Sequence, residues 1–300
     1  MTGRIRVGVS GWCYPAWRGT FYPKALPERL ELAYAARQFS SIEVNATFYR
    51  LQRPEDFHRW AAQTPPAFQF ALKGSGYITH RCKFLNPLIP LANFFASGVL
   101  ALGPKLGPVL WQCPPQFAFH PDRLATFFRL LPRSLNAAAE LARHHDARLQ
   151  GRSLTKAPCN RPLRHAIEIR HPSFCSPAFI ALLRTHNVGL VVADGPHWPQ
   201  MMDVTSNFIY CRLHGAPALY KSGYGPRALE TWAERTRAWA GGGETDGTHF
   251  GPPAKRRHGR DVFLYFDNDV KARAPRDARS LIGRLSCGPQ HLHTNVPNST

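Results

Sequence analysis

Eight short apolar runs in this 300-residue chain end on a residue that a buried strand avoids: Ser10, Asn45, Lys73, Gln112, Arg170, Asp194, His214 and Asp267. Side chains alternate faces along a strand, so Glu43 shares a side with Asn45, Glu168 with Arg170, and Tyr210 with Arg212 and His214. Polar groups stacked on one side of an otherwise apolar strand must pair with one another or meet a ligand, because burying each alone is costly.

Four chemistries fit these residue types. Glu43, Glu168 and Asp194 are candidate general acids and bases, one carboxyl raised by burial and another held down by Arg170 or Arg212. Lys73 is a candidate Schiff-base amine, although pairing with a carboxylate is its plainer expectation. Glu168, His171, Asp194 and His214 offer mixed ligands for a divalent metal, but no tight spacing marks a metal site, so a metal is left open and not favoured. Lys73, Arg170 and Arg212, with the 214–225 loop carrying Tyr220, Lys221, Gly223 and Tyr224, suit a phosphate or carboxylate, and a small anionic or polar ligand is favoured.

Asn45, His80, Gln112, His171, His214 and Asp267 complete the candidate binding set. Trp12 joins it from a first loop crowded with Tyr14, Trp17, Phe21 and Tyr22, and Phe48 and Tyr49 follow the second run. Such rings stack on sugars or bases, or seal a barrel mouth by packing, which is the stronger expectation here. A closed salt-bridge network without ligand is the competing reading of the charged residues.

The elements that would position these groups alternate strand and helix. Strands are expected at 5–10, 41–45, 68–74, 108–113, 165–170, 189–194, 208–214 and 261–266. Helices are expected at 28–38, 54–63, 88–102, 122–131, 135–149, 178–186, 227–240 and 272–285, with only a weak helical signal after the sixth strand. Eight such units imply right-handed crossovers and closure into a TIM-like (β/α)8 parallel barrel, a single α/β domain over 1–286, with an open doubly wound sheet as competitor. The tail 287–300, polar and holding Pro289 and Pro297, is expected to be disordered.

Two stretches read as insertions, 142–164 and 241–260, the latter with a triple glycine and Lys255-Arg256-Arg257. Both lie between a helix and the next strand, which places them on the barrel face opposite the candidate site. The formal charge is +19, with 30 Arg and 8 Lys among the 38 basic residues. Nucleic acid bound through this basic surface, with or without metal-dependent phosphodiester chemistry, is therefore the alternative function, on a separate surface.

No glycine-rich dinucleotide fingerprint or phosphate loop follows any strand, so no nucleotide cofactor is expected. Seven scattered cysteines, no two of them in C-x-x-C spacing, fit a reducing cytoplasm. No apolar run has the length of a membrane span or a signal-peptide core. Oligomeric state is not legible.

The motifs Val7-Gly8-Val9-Ser10-Gly11-Trp12, Phe21-Tyr22-Pro23 and Glu43-Val44-Asn45-Ala46-Thr47-Phe48-Tyr49 resemble those of the YecE-like family, domain of unknown function 72. The likeness continues through Lys73, Thr79-His80, Gly107-Pro108, Gln112-Cys113-Pro114-Pro115, Glu168-Ile169-Arg170-His171-Pro172, Ala193-Asp194, Tyr210 to Gly215 and Tyr265 to Asp269, covering roughly residues 5 to 285. It implies a TIM-like barrel with shared polar residues at the strand C-termini and carries no established reaction. A hydrolase, lyase or isomerase of barrel fold is the enzyme reading; kinship with barrel nucleases and sugar isomerases is analogy. Val9, Phe174 and Asp267 depart from the commoner Thr, Trp and Asn, and Asp267 adds a negative charge to the rim.

Overall fold

The computed structural model describes residues 2–215, 223–268 and 272–287. Its eight strands are β1 (Ile5–Ser10), β2 (Ser41–Val44), β3 (Gln69–Lys73), β4 (Leu106–Gln112), β5 (His165–Glu168), β6 (Gly189–Asp194), β7 (Phe208–Leu213) and β8 (Asp261–Phe266). All pair in parallel, each with its sequence neighbour, and β1 closes on β8 through the register Ile5↔Val262 to Val9↔Phe266. The barrel is thus closed and the open sheet is excluded.

Around it lie α1 (Glu31–Gln38), α2 (Ala46–Tyr49), α3 (Pro54–Ala62), α4 (Leu88–Ala96), α5 (Pro121–Leu130), α6 (Leu135–Ala142), α7 (Pro177–Thr185), α8 (Pro226–Ala240) and α9 (Arg273–Ser286). Proline stands at the first turn of α3, α5, α7 and α8, where its missing N–H leaves no intrahelical bond unmade. Most apolar burial lies between barrel and helices, where Val7, Val9, Ile42, Val44 and Leu72 point outward into the helical layer. A smaller cluster that includes Ala71, Leu110, Ala166, Val191, Tyr210 and Tyr265 fills the barrel interior.

Two expected helices are shortened, and the weak helical signal after the sixth strand gives none. The 88–102 helix stops at Ala96 because Gly98 takes a φ of 120°, packed so close to Pro54 that a Cβ would lie 2.6 Å from its Cα; a 3-10 run, Val99–Lys105, follows. The 135–149 helix ends at Ala142, and the chain then turns so that the Asp146 N–H donates to Asn93 Oδ1 at 3.0 Å. No helix forms among residues 195–207. Residues 143–164 connect α6 to β5 and residues 241–260 connect α8 to β8; of the expected tail, only Cys287 is among the described residues.

Candidate functional site

Strand register fixes which residues share the barrel interior. Ser10 pairs with Glu43, Glu43 with Ala71, Lys73 with Leu110, Gln112 with Glu168, and Arg212 with both Ala193 and Tyr265. All of these face inward at the strand C-termini, as the parity of the sequence implies. Asp194 does not. It is level with Leu213, on the outward face, where its carboxylate accepts from Gln200 Nε2 at 3.0 Å and neighbours the Tyr224 hydroxyl. The expectation that Asp194 joins the acid–base set is therefore corrected.

Arg212 sits at the centre, 1% exposed, and donates to three carboxylates. Its Nε and Nη2 grip Glu43 at 3.1 and 2.9 Å, its Nη1 meets Glu168 at 2.6 Å, and its Nη2 meets Asp267 at 2.8 Å. Glu43 also accepts from Ser10 Oγ at 2.9 Å and the Tyr210 hydroxyl at 2.6 Å, so each of its oxygens takes two donors. Burial alone would raise the Glu168 carboxyl, but Arg212 and Arg170 overcome it and hold the group well below the usual range. Burial likewise acts to lower Arg212, and the three carboxylates reverse it, leaving the guanidinium above its ordinary value. Asp267 is also held low, against burial, by Arg212 and His214. All three carboxylates are held by donors, so their geometry suits positioning better than proton transfer.

Around this network stand groups less fully used. Arg170 donates its Nε to Glu168 at 2.9 Å and lays its guanidinium 4.1 Å from the Trp198 ring centre, while its two Nη groups make no hydrogen bond to a described residue. Lys73 is 8% exposed with its Nζ 4.4 Å from the centre of the Phe48 ring and no carboxylate within ion-pair distance among the described residues, which corrects the expected pairing. Burial, then the neighbouring Arg212, push its amine down to about 8 against the raising effect of Glu43, Asp267 and Glu168. Gln112, 5% exposed, and Asn45 each bury a side-chain oxygen that has no hydrogen-bond partner among the described residues.

His80 is carried on a π-helical turn, Tyr77–Arg81, with its ring edge-on to Phe48 at 4.9 Å and its Nδ1 2.8 Å from Thr79 Oγ1. Burial and then the charges of Lys73 and Arg170 lower it. His214 Nδ1 lies 3.1 Å from Asp267 Oδ2, and its ring meets Trp198 edge-on at 5.4 Å.

Other candidates are employed elsewhere. His171 caps the turn Pro172–Phe174 by accepting from the Ser173 N–H at 3.2 Å. Trp12 packs edge-on against Trp60 at 5.4 Å. Tyr224 accepts from the Gly215 N–H at 3.1 Å and packs on Phe266. The ligand set Glu168, His171, Asp194 and His214 is not assembled, and no group of three or more His, Cys, Asp or Glu side chains among the described residues is placed to hold a metal ion. The loop with Tyr220 and Lys221 lies outside the described residues.

Trp198 was not legible as a site residue. Its segment carried a weak helical signal and no other mark, and that absence of a helix is what lets the ring reach the rim.

Fold and site together define a (β/α)8 barrel protein with an arginine-centred polar rim at the strand C-termini. The family model described as "Protein of unknown function DUF72" matches residues 6–300, and the chain belongs to that family. It is 31% identical over 143 residues to the UPF0759 protein YecE of Escherichia coli K12, covering 46% of this chain and 48% of that protein. It is 27% identical over 126 residues to the UPF0759 protein YunF of Bacillus subtilis 168, covering 40% and 44%. The chain thus spans about half the length of the curated relatives it matches. A DUF72 family crystal structure from Thermotoga maritima MSB8 superposes with a TM-score of 0.68 at 23% identity, over 95% of this chain and 100% of that one. A second, from Enterococcus faecalis V583, gives 0.64 at 15% identity over 95% and 96%. These likenesses bear out the fold. No single helix among the described residues is long and apolar enough to cross a membrane.

Proposed function

We propose that the C-terminal rim binds a small polar or anionic molecule, of phosphorylated, carboxylated or sugar-like type, and that Lys73 is the group that exchanges a proton with it or adds to its carbonyl. The supporting observation is the contrast within the rim. Glu43, Glu168 and Arg212 use their capacity on one another, whereas the Lys73 amine, the Arg170 Nη groups and the side-chain oxygens of Gln112 and Asn45 make no hydrogen bond to a described residue. An amine near 8 is partly neutral at physiological pH and so suits general base or nucleophile work, which an ordinary lysine near 10.5 does not. The carboxylate network would then orient and tune, while His80 and Trp198 flank the ligand. All seven cysteines are free thiols, in keeping with a reducing, cytoplasmic setting.

Thermal-shift measurement against a panel of sugar phosphates, 2-oxo acids and dicarboxylates tests this. At least one class should raise Tm in the wild type and lose that effect in both Lys73→Met and Arg170→Gln. A panel without effect, or an effect that survives both substitutions, would falsify the reading. For an anionic ligand, affinity should fall as pH rises through about 8, where Lys73 loses its charge.

A further inference from the structure

The opposite mouth of the barrel, at the strand N-termini, holds a cavity of about 180 Å³ lined by Arg4, Arg6, Gln69, Arg161, Arg164 and Asp261, among others. Four guanidinium groups there face one carboxylate. Asp261 is already occupied, its Oδ1 accepting from the Arg4 backbone N–H at 2.8 Å and its Oδ2 from Arg164 Nη1 at 2.8 Å. Arg161 rests Nη1 on the Pro104 carbonyl at 2.6 Å, and Arg164 lies over the Phe208 and Phe263 rings.

Arg6 is left over. It is 7% exposed, stacked 5.2 Å from the centre of Phe263, and its guanidinium makes no hydrogen bond to any described residue. Its Nη1 is buried without a hydrogen-bond partner among the described residues; the nearest carboxylate oxygen, Asp261 Oδ2, is 3.8 Å away, beyond hydrogen-bond reach. A buried cation with open donors is costly unless something accepts from it. Burial already depresses this guanidinium below its ordinary value, with Asp261 opposing and Arg164 and Arg4 adding to the fall. An oxyanion in the cavity would supply the missing acceptors and add negative charge to that of Asp261, which Arg6 shares with Arg164.

We propose that this cavity is a second ligand site, distinct from the rim, which takes one phosphate group through Arg6 and Arg164 with Arg4 and Arg161 at its mouth. The guanidinium fork matches tetrahedral oxyanions in bidentate fashion, and a space of this size, set among strand ends, holds one such group rather than a length of chain. The phosphate arrives either as the free ion or as the monoester of a small metabolite.

Calorimetric titration with inorganic phosphate and, separately, with glycerol 3-phosphate distinguishes these sources. At least one should bind the wild type, bind at least about tenfold more weakly to Arg6→Met, and bind Lys73→Met as it binds the wild type. Tighter binding by glycerol 3-phosphate would assign the monoester. In phosphate-free buffer Arg6→Met should be at least as thermostable as the wild type, because it removes a buried guanidinium that has no hydrogen bond to a described residue and shares its one carboxylate with Arg164. If Arg6→Met fails to fold, Arg161→Gln, at an exposed residue, carries the same expectation of weakened binding. No binding of either probe, binding abolished by Lys73→Met but not by Arg6→Met, or only a single-stranded oligonucleotide bound through Lys255, Arg256 and Arg257, overturns the site. The Lys73→Met arm keeps its failure separable from failure of the rim reading.

Discussion

At the scale of the residue, Arg212 neutralises Glu43 and Glu168, both 0% exposed, and removing it would strand two buried carboxylates. Arg212→Met should cost about 3–5 kcal/mol in urea denaturation at pH 7. The pH dependence should also change sign. In the wild type the Glu168 carboxyl is depressed on folding, so its contribution is present above the ordinary carboxylate pKa of 4.5 and is lost as pH falls below it. In the variant, burial of the Glu168 carboxyl is opposed only by Arg170 and His214, so its ionised form loses its main support and stability should rise on acidification from pH 7 to 5. Lys73 behaves in the opposite manner to Glu168. Its folded pKa, about 8, lies below the ordinary 10.5, so the folded state is penalised at pH 7 and recovers as pH climbs from 8 to 10.5. Lys73→Met should therefore raise stability at pH 7, by at most about 3 kcal/mol, and flatten that alkaline rise while abolishing ligand binding at the rim. A destabilised Lys73→Met variant would show that the amine serves as a structural tie.

At the scale of the element, strand ends write the rim and strand register edits it. The sequence made Glu43, Lys73, Gln112, Glu168, Arg170, Arg212 and His214 legible because polar residues on one parity of an apolar strand are too costly to bury except where they can meet one another. Asp194 was misplaced for a physical reason: its own strand is apolar throughout, so its face is set only by the pairing of Ala193 with Arg212, a relation between strands distant in sequence. The fates of His171 and Tyr224 were equally hidden, since a cap and a loop contact depend on local turns that periodicity does not encode. The strands were read well, while α4 and α6 were overextended, because Gly98 and the Asp146 turn act through neighbours. Gly8 shows the same dependence. A Cβ there would lie 1.8 Å from the Ser41 carbonyl oxygen of β2, so Gly8→Ala should prevent β1 from pairing with β2. The expected outcome is loss of cooperative unfolding or of soluble expression, and a variant with unchanged Tm would show that β1 can shift without opening the barrel.

At the scale of the whole molecule, a formal charge of +19 repels itself, and the chain disposes of it unevenly. At the rim Glu43, Glu168 and Asp267 balance Arg170, Arg212 and, when protonated, Lys73. At the N-terminal mouth Arg4, Arg6, Arg161 and Arg164 line a cavity whose one described lining carboxylate is Asp261, and Lys255, Arg256 and Arg257 are exposed on the same side. Salt acts on these two ends in opposite directions. It screens the solvent-facing repulsion within about 10 Å at 0.1 M but hardly reaches the buried rim network, so the first effect should dominate. Tm should rise as sodium chloride is raised from about 20 to about 500 mM at pH 7.5. Replacing Lys255, Arg256 and Arg257 together by Gln should raise the low-salt Tm and flatten the slope, since those charges lie among like neighbours. A Tm that falls with salt would mean that attractive surface pairs, such as Arg18 with Glu28 and Arg143 with Glu140, outweigh the net repulsion. The excess charge would then contribute nothing to the strain that an anion at the N-terminal face is expected to relieve.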